Sequence, residues 1–477
     1  VYRHAVLALE WLDEPAVGRL QRRFGEAVRR AQSIDEPVLV SVTCELSREV
    51  DPTAVVTASR AAGEPWFCLE QPARDGLALA GLGSVLTLEA RGPGRFRDLA
   101  RRWRRRSAAA LADEVADAPG SGLAAFGGVA FDPAGGASPI WSGFAPASLM
   151  VPEVTLARRG GRTWLTVNAE VGSGTELSGA VESIRRRLRG LVVGALPMLD
   201  PAPAGDYQVV SPMPPVHYEE AVARAIQRIG AGEFEKVVLA REVDVLAPRD
   251  HDPAAVLGVL REAFSTSFVY AVGRGDATFL GATPELLIRR QGHRASTVGL
   301  AGSTRRSADP AVDAHLAEQL IRSEKDREEN AIVARRIART LRPLSVWVTV
   351  AEDPVVVTVA NIQHLATPIR AQLAQPIDAL TLAGLLHPTP AVGGEPAGAL
   401  AAIPALEGID RGWYAGAVGW LDATGDGEFC VALRGALLRG AHARCYAGCG
   451  IVRDSEPVAE LAESEMKLGV MLPLLAG

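Results

Sequence analysis

The segment PVAELAESEMKLGVML, Pro457–Leu472, puts acids where a buried helix would hold apolar residues. At 3.6 residues per turn, Glu460, Glu463 and Lys467 share one face, and Val470 and Met471 extend it. The leading proline and the apolar end predict a helix running inward over Pro457–Leu472, with Glu465 in solvent. A second stretch, SEKDREENAIVARRI, offers another such acid: Glu329 lies on the face of Ile332 and Val333, whereas Glu328 points away. Buried carboxylates without partners are costly, and a shared divalent cation removes that cost. Carboxylate donors without a His or Cys cluster suit Mg²⁺. Ion pairs with arginine would account for Glu329 and Glu463 equally well.

The cations carry a second signal. Lysine and arginine together number 50, yet lysine stands only at 236, 325 and 467. Arginine cannot release its proton at any workable pH, so a lysine that persists against this bias is a candidate for chemistry that needs a base. Chance survival is the bland alternative. Lys236 precedes the apolar run VVLA, a setting that desolvates an ammonium and favours its neutral form.

These residues need a large scaffold, and the chain supplies one. Its 477 residues are 48% hydrophobic and 22% charged, an ordinary globular composition. Short β-like runs such as PVLVSVTCEL, WFCLEQ and RTWLTVNAEV alternate with helices expected at Arg95–Ala116 and Val181–Val193. A Pro-rich connector, Leu196–Pro215, follows. Then come a helix (HYEEAVARAIQRIGAG), strands ending at GATPE, one long helix over Val312–Leu341, and strands and turns to the final helix. Without a regular βαβ rhythm, the pattern is α+β.

Several classes are excluded. The net charge of −6 argues against nucleic-acid binding, and the basic run Arg95–Ser107 reads as a solvated helix face. No apolar run is long enough for a membrane span, and the opening VYRHAVLALEWLDEP is too weakly apolar for a leader, so the expected location is cytoplasmic. Five scattered cysteines give neither a disulfide framework nor a zinc site. Nucleotide-binding glycine motifs are missing, and GDGE between two β runs is a hairpin turn.

Nine ordered motifs then carry a resemblance: GATPELLIRR, GLAGSTRR, SEKDREEN, HLATPIR, LHPTPAVGGEP, RGWYAGAVGWLD, GDGEFCVALRGALL, YAGCGIV and ELAESEMKL. Together they resemble the chorismate-utilising enzymes, in the isochorismate synthase branch. The match is dense over 206–477 and vague over 1–205. It implies one large α+β domain, two β-sheets packed between helices, completed by the weakly matching first part. It also implies Mg²⁺-dependent conversion of chorismate to isochorismate by a single chain, without nucleic acid or membrane.

Carried over residue by residue, the resemblance makes Lys236 the base for water attack at C2 and Glu285 the acid for the departing C4 hydroxyl. Glu329 and Glu463 become metal ligands, with Glu460 beside them. Arg434, Lys467 and the backbone at Gly302, Ser303 and Gly450 hold carboxylates. Tyr414 and His364 stand near the substrate side chain and ring. Plainer roles remain open: Tyr414 and His364 as hydrogen-bonded core residues, Arg434 as a strand-end ion pair. Three positions sort activities within the resemblance. Ala301 stands where aminodeoxychorismate synthases use a lysine. Lys236 is present, unlike in anthranilate synthases. Ala391 replaces a threonine common in salicylate synthases, the alternative reading, which go on to eliminate pyruvate. Two departures are Gly299 for a usual proline and Asn330 for a frequent histidine.

Overall fold

The computed structural model describes residues 11–115, 118–359 and 362–476. Residues 1–10, most of the segment weighed as a leader, lie outside these. Two antiparallel sheets, of twelve and ten strands among the described residues, form the frame. The strands that matter here are β1 (Gly63–Gln71), β2 (Ala124–Val129), β3 (Lys236–Leu246), β4 (Phe268–Gly275), β5 (Ala277–Thr283) and β6 (Leu286–Gln291). They continue as β7 (Arg294–Arg305), β8 (Ile362–Leu373), β9 (Ala417–Asp422), β10 (Gly427–Val431), β11 (Gly435–Arg439) and β12 (His442–Ile451).

The centre of the larger sheet runs β1-β4-β5-β11-β12-β3, and much of the smaller runs β8-β7-β6-β10-β9-β2. Early and late parts of the chain therefore stand side by side in both sheets: β1 pairs with β4, and β2 with β9. This is one α+β domain, as expected. The Pro-rich connector is irregular except for a short strand, Gln208–Val210.

The chain passes between the sheets several times, and two of these crossings matter here. β5 belongs to the larger sheet and β6 to the smaller, with Pro284 and Glu285 between them. The return crossing, from β10 to β11, contains Arg434. The crossings are tied into the same frame: Val431 N–H donates to Glu285 O (3.0 Å), and Ala282 N–H donates to Arg434 O (3.2 Å). Arg434 sits at φ 49°, a left-handed conformation that a residue with a side chain adopts only when its surroundings enforce it.

Three helices cover this region: α1 (Pro310–Arg322), α2 (Glu324–Leu341) and α3 (Pro457–Leu468). The single long helix expected over 312–341 is two. Ser323 takes an extended conformation (φ −65°, ψ 113°), and its Oγ accepts from Asp326 N–H (3.3 Å), capping α2. SEKD is thus a helix start inside an apparently continuous pattern. The helix expected over Pro457–Leu472 ends at Leu468, and a separate short helix, Leu472–Ala476, follows; Val470 and Met471 are buried between the two. The basic run forms a helix, Arg95–Ala108, that buries Phe96, Leu99 and Trp103 and leaves most of its arginines outside. It stops short of Ala116, and the helix expected at 181–193 runs Leu177–Arg189. All five cysteines are free, and no described helix is long and apolar enough to cross a membrane.

Candidate active site

Lys236 opens β3, and its side chain is wholly buried. Its Nζ stands 2.8 Å from Glu329 Oε1 on α2, an ion-pair distance without hydrogen-bond alignment. Gly450 of β12 makes this contact possible. A Cβ there would fall 2.3 Å from Glu329 Oε1 and 2.8 Å from Lys236 Cε. On α3, Lys467 Nζ lies 2.8 Å from Glu463 Oε1, one turn away, and donates to Gly448 O (2.9 Å). Lys325, near the start of α2, reaches across to Glu460 on α3 (3.3 Å). The only three lysines of the chain thus meet three glutamates, one each. The scarcity of lysine had marked all three cations, although Lys325 was given no role in the expected site.

These partners decide the charge of each acid. Burial works to raise the Glu463 carboxyl, but Lys467, with Lys325 and Lys236 behind it, outweighs burial and holds it below the usual range. Glu460 goes the other way: burial and the neighbouring Glu463 charge raise it, against the pull of Lys325. Burial also opposes the charge on Lys467, yet the Glu463 carboxylate one turn away holds it cationic above its ordinary value.

Glu285 has no such partner. It is buried on the β5–β6 crossing, and its carboxyl makes no ion pair among the described residues. Desolvation pushes it up to about 8, and the charges of Lys236, Lys467 and Arg434 offset only part of that. At neutral pH this side chain is a carboxylic acid with a proton to give.

Arg434 reaches His364 of β8 through Nη2, and Ser303 Oγ meets the other ring nitrogen, Nδ1, at 3.0 Å. A guanidinium only donates, so His364 Nε2 is the acceptor and Nδ1 carries the proton. Burial, then Arg434 and Lys467, keeps the ring neutral by pulling its pKa well down. Desolvation lowers Arg434 itself to about 10, and its Nη1 is buried without a partner among the described residues. An orphaned guanidinium nitrogen in a cleft is built to receive a carboxylate. Tyr414 stacks on Tyr446, centroids 5.0 Å apart, with its hydroxyl raised to about 12 by burial.

Eleven of the thirteen expected residues line one cleft: Glu285, Gly302, Ser303, Glu329, His364, Ala391, Tyr414, Arg434, Gly450, Glu463 and Lys467. Lys236 and Glu460 do not; Lys236 lies against Glu329, and Glu460 is drawn to Lys325. The tight acidic cluster also differs from the expected pair. Ligand atoms of Glu460, Glu463 and Cys449 lie within 4.8 Å of one another, while Glu329 is engaged by Lys236. The reading from sequence missed Arg411 and Tyr446 on the cleft wall. Tyr446 had a signal: 446, 448 and 450 alternate along β12 and face the same way.

The pattern described as "Chorismate binding enzyme" matches residues 26–476. The chain belongs to the chorismate-binding enzymes. A relative from Pseudomonas aeruginosa, "Salicylate biosynthesis isochorismate synthase", is 37% identical over 96% of this chain and 94% of its own length. "Isochorismate synthase MenF" from Bacillus subtilis is 31% identical over 97% and 99%. Among solved structures, MenF from Escherichia coli, titled a menaquinone-specific isochorismate synthase, superposes with TM-score 0.76 at 26% identity, covering 96% of this chain and all of that one. As a chorismate-binding enzyme, the chain has its cleft between the two crossings and α2 and α3, with acids and cations in alternation around it.

Proposed function

We propose that this protein is an isochorismate synthase, moving the ring hydroxyl of chorismate from C4 to C2. The observation that carries the reading is Glu285, a buried carboxyl with no ion-pair partner among the described residues, set in a cleft that also holds an orphaned arginine nitrogen. Glu285 gives its proton to the departing C4 hydroxyl, which leaves as water. Lys236 takes a proton from the water that attacks C2. One water enters and one leaves, so the product is an isomer. Hydroxide is a poor leaving group and water a poor nucleophile, which is why both an acid and a base are needed. For Lys236 to serve, its contact with Glu329 has to open.

Arg434, through Nη1, and Lys467 hold substrate carboxylates, with the backbone at Gly302, Ser303 and Gly450. Neutral His364 lies beside the ring, and Tyr414 near the enolpyruvyl side chain. The acidic cluster fits a hard divalent cation, which we take to be Mg²⁺. Its two carboxylates lie close together, and the Cys449 thiol is pushed far up by burial, so it keeps its proton and offers no soft ligand. Glu463, with Glu329 and Glu460, would hold the ion. When bound, it supplies positive charge for the ring carboxylate. We take a single chain to be the working unit.

The test is to incubate the protein with chorismate and Mg²⁺ and identify the product. Isochorismate without pyruvate is expected, approaching the same equilibrium from either isomer. Ala391 on the cleft wall leaves space where a bulkier residue would press on the ring. Stoichiometric pyruvate with salicylate would move the reading to a salicylate synthase.

A further inference from the structure

Asn330 follows the proposed ligand Glu329 on α2, is 2% exposed, and uses every polar atom it has. Its Nδ2 is within donating distance of three carbonyls: Gly299 O (3.1 Å), Ala301 O (3.3 Å) and Leu365 O (3.1 Å). Its Oδ1 accepts from Thr367 Oγ1 at 2.5 Å. Two of these partners lie on β7 and two on β8, so one side chain joins a helix to both strands of a ladder. The place it grips is irregular. Pairing between β7 and β8 slips between Leu300 and Ser303, and Gly302 within the slip takes φ +81°. Peptide groups in such a bulge lack regular ladder partners, so an external donor must fix their direction.

The bulge is also where the cleft wall is made. Leu300, Ala301, Gly302 and Ser303 all line it, and Ser303 begins the relay through His364 to Arg434. Gly299 fits the same plan. A Cβ there would stand 3.4 Å from the α2 backbone at Ala334, so helix and strand pack closely enough for the Asn330 amide to reach across.

We infer that Asn330 is a positioning residue that sets the β7 bulge against α2, joining the wall that grips the substrate carboxylate to the helix that bears Glu329. The inference rests on the proposed isochorismate synthase activity. Asn330 touches neither substrate nor reacting atoms; it acts through Gly302, Ser303 and Glu329. Its loss therefore weakens substrate binding more than the chemical step.

The experiment compares Asn330→Ala and Thr367→Val with the unaltered chain. The second variant is milder: it removes only the hydroxyl that orients the amide, and keeps the fold if the first does not. Losing a buried hydrogen-bonding hub is expected to raise KM for chorismate by about tenfold in Asn330→Ala and about threefold in Thr367→Val, with kcat within about twofold. Calorimetric Mg²⁺ affinity, which needs no turnover, should fall in the same order. An unchanged KM and Mg²⁺ affinity in either soluble variant, with only a lower melting temperature, would reduce Asn330 to a core residue and overturn the inference. An equal loss in kcat would also overturn it. If the unaltered chain makes no isochorismate, the reading of function fails first, and the calorimetric comparison still decides whether Asn330 positions α2.

Discussion

Glu285 and Glu463 are the same residue type, in the same cleft, both under a desolvation penalty, yet they end in opposite charge states. Glu463 sits on a helix with a lysine one turn away, and its carboxyl is held below the usual range. Glu285 sits on a crossing between sheets, where backbone bonds fix the strand but no cation touches the carboxyl, and it rises to about 8. Burial alone therefore does not make a general acid; burial without a contact partner does. The helix side of the cleft is built to hold charge, and the crossing side to hold a proton.

The largest expected effect separates the sides by removing what the helix side is for. Excess EDTA should abolish turnover and added Mg²⁺ restore it; full activity in the chelator would break the comparison. Glu329→Gln and Glu463→Gln should fold, since an amide fills the same volume, and calorimetry should show weaker Mg²⁺ binding in each.

Next come the two proton carriers. Lys236→Arg keeps a cation against Glu329 but removes the base, and Glu285→Gln keeps the shape but removes the proton. Each should cost roughly 10²-fold or more in kcat, with chorismate affinity and melting behaviour largely kept. A near-normal kcat for Lys236→Arg would show that Lys236 is only a positive charge, leaving the water to another base.

The smallest effect is on stability, and its sign is specific. Unfolded, Glu285 ionises at its ordinary value near 4.5; folded, it ionises near 8. The folded state therefore binds the extra proton between these values. Its stabilising share is complete below pH 4.5 and is lost as pH rises through 8. Glu285→Gln carries no such penalty, so its melting temperature should match the parent at pH 4 and exceed it by a few degrees at pH 8.5. Equal melting at both pH values would mean that Glu285 is ionised like Glu463.

Much of this contrast could be read from sequence, and the missing part has a physical cause. Helical periodicity put Glu329, Glu460 and Glu463 on inward faces, and the rarity of lysine marked all three cations. Periodicity is local, however, and says nothing of partners 93 or more positions apart, such as Lys236 with Glu329 or Lys325 with Glu460. It also ran through Ser323, because one capping hydroxyl ends a helix without disturbing the apolar pattern around it. The crossings were invisible for a related reason. A strand was expected to end at GATPE, but only the sheet order shows that the chain changes sheets at Glu285. Asn330 was legible as an unusual residue but not as a hub, since three of its four partners are backbone carbonyls.

The most direct test of the contrast is the protonation of Glu285 in the folded protein. Infrared difference spectra, recorded while titrating the parent against Glu285→Gln, isolate the carbonyl stretch of a protonated carboxyl lost in the variant. That band should be present at pH 6.5 and disappear with a midpoint near 8. A band already gone by pH 5.5 would mean that Glu285 is an ordinary carboxylate at neutral pH, and the cleft would have no acid where the reaction requires one.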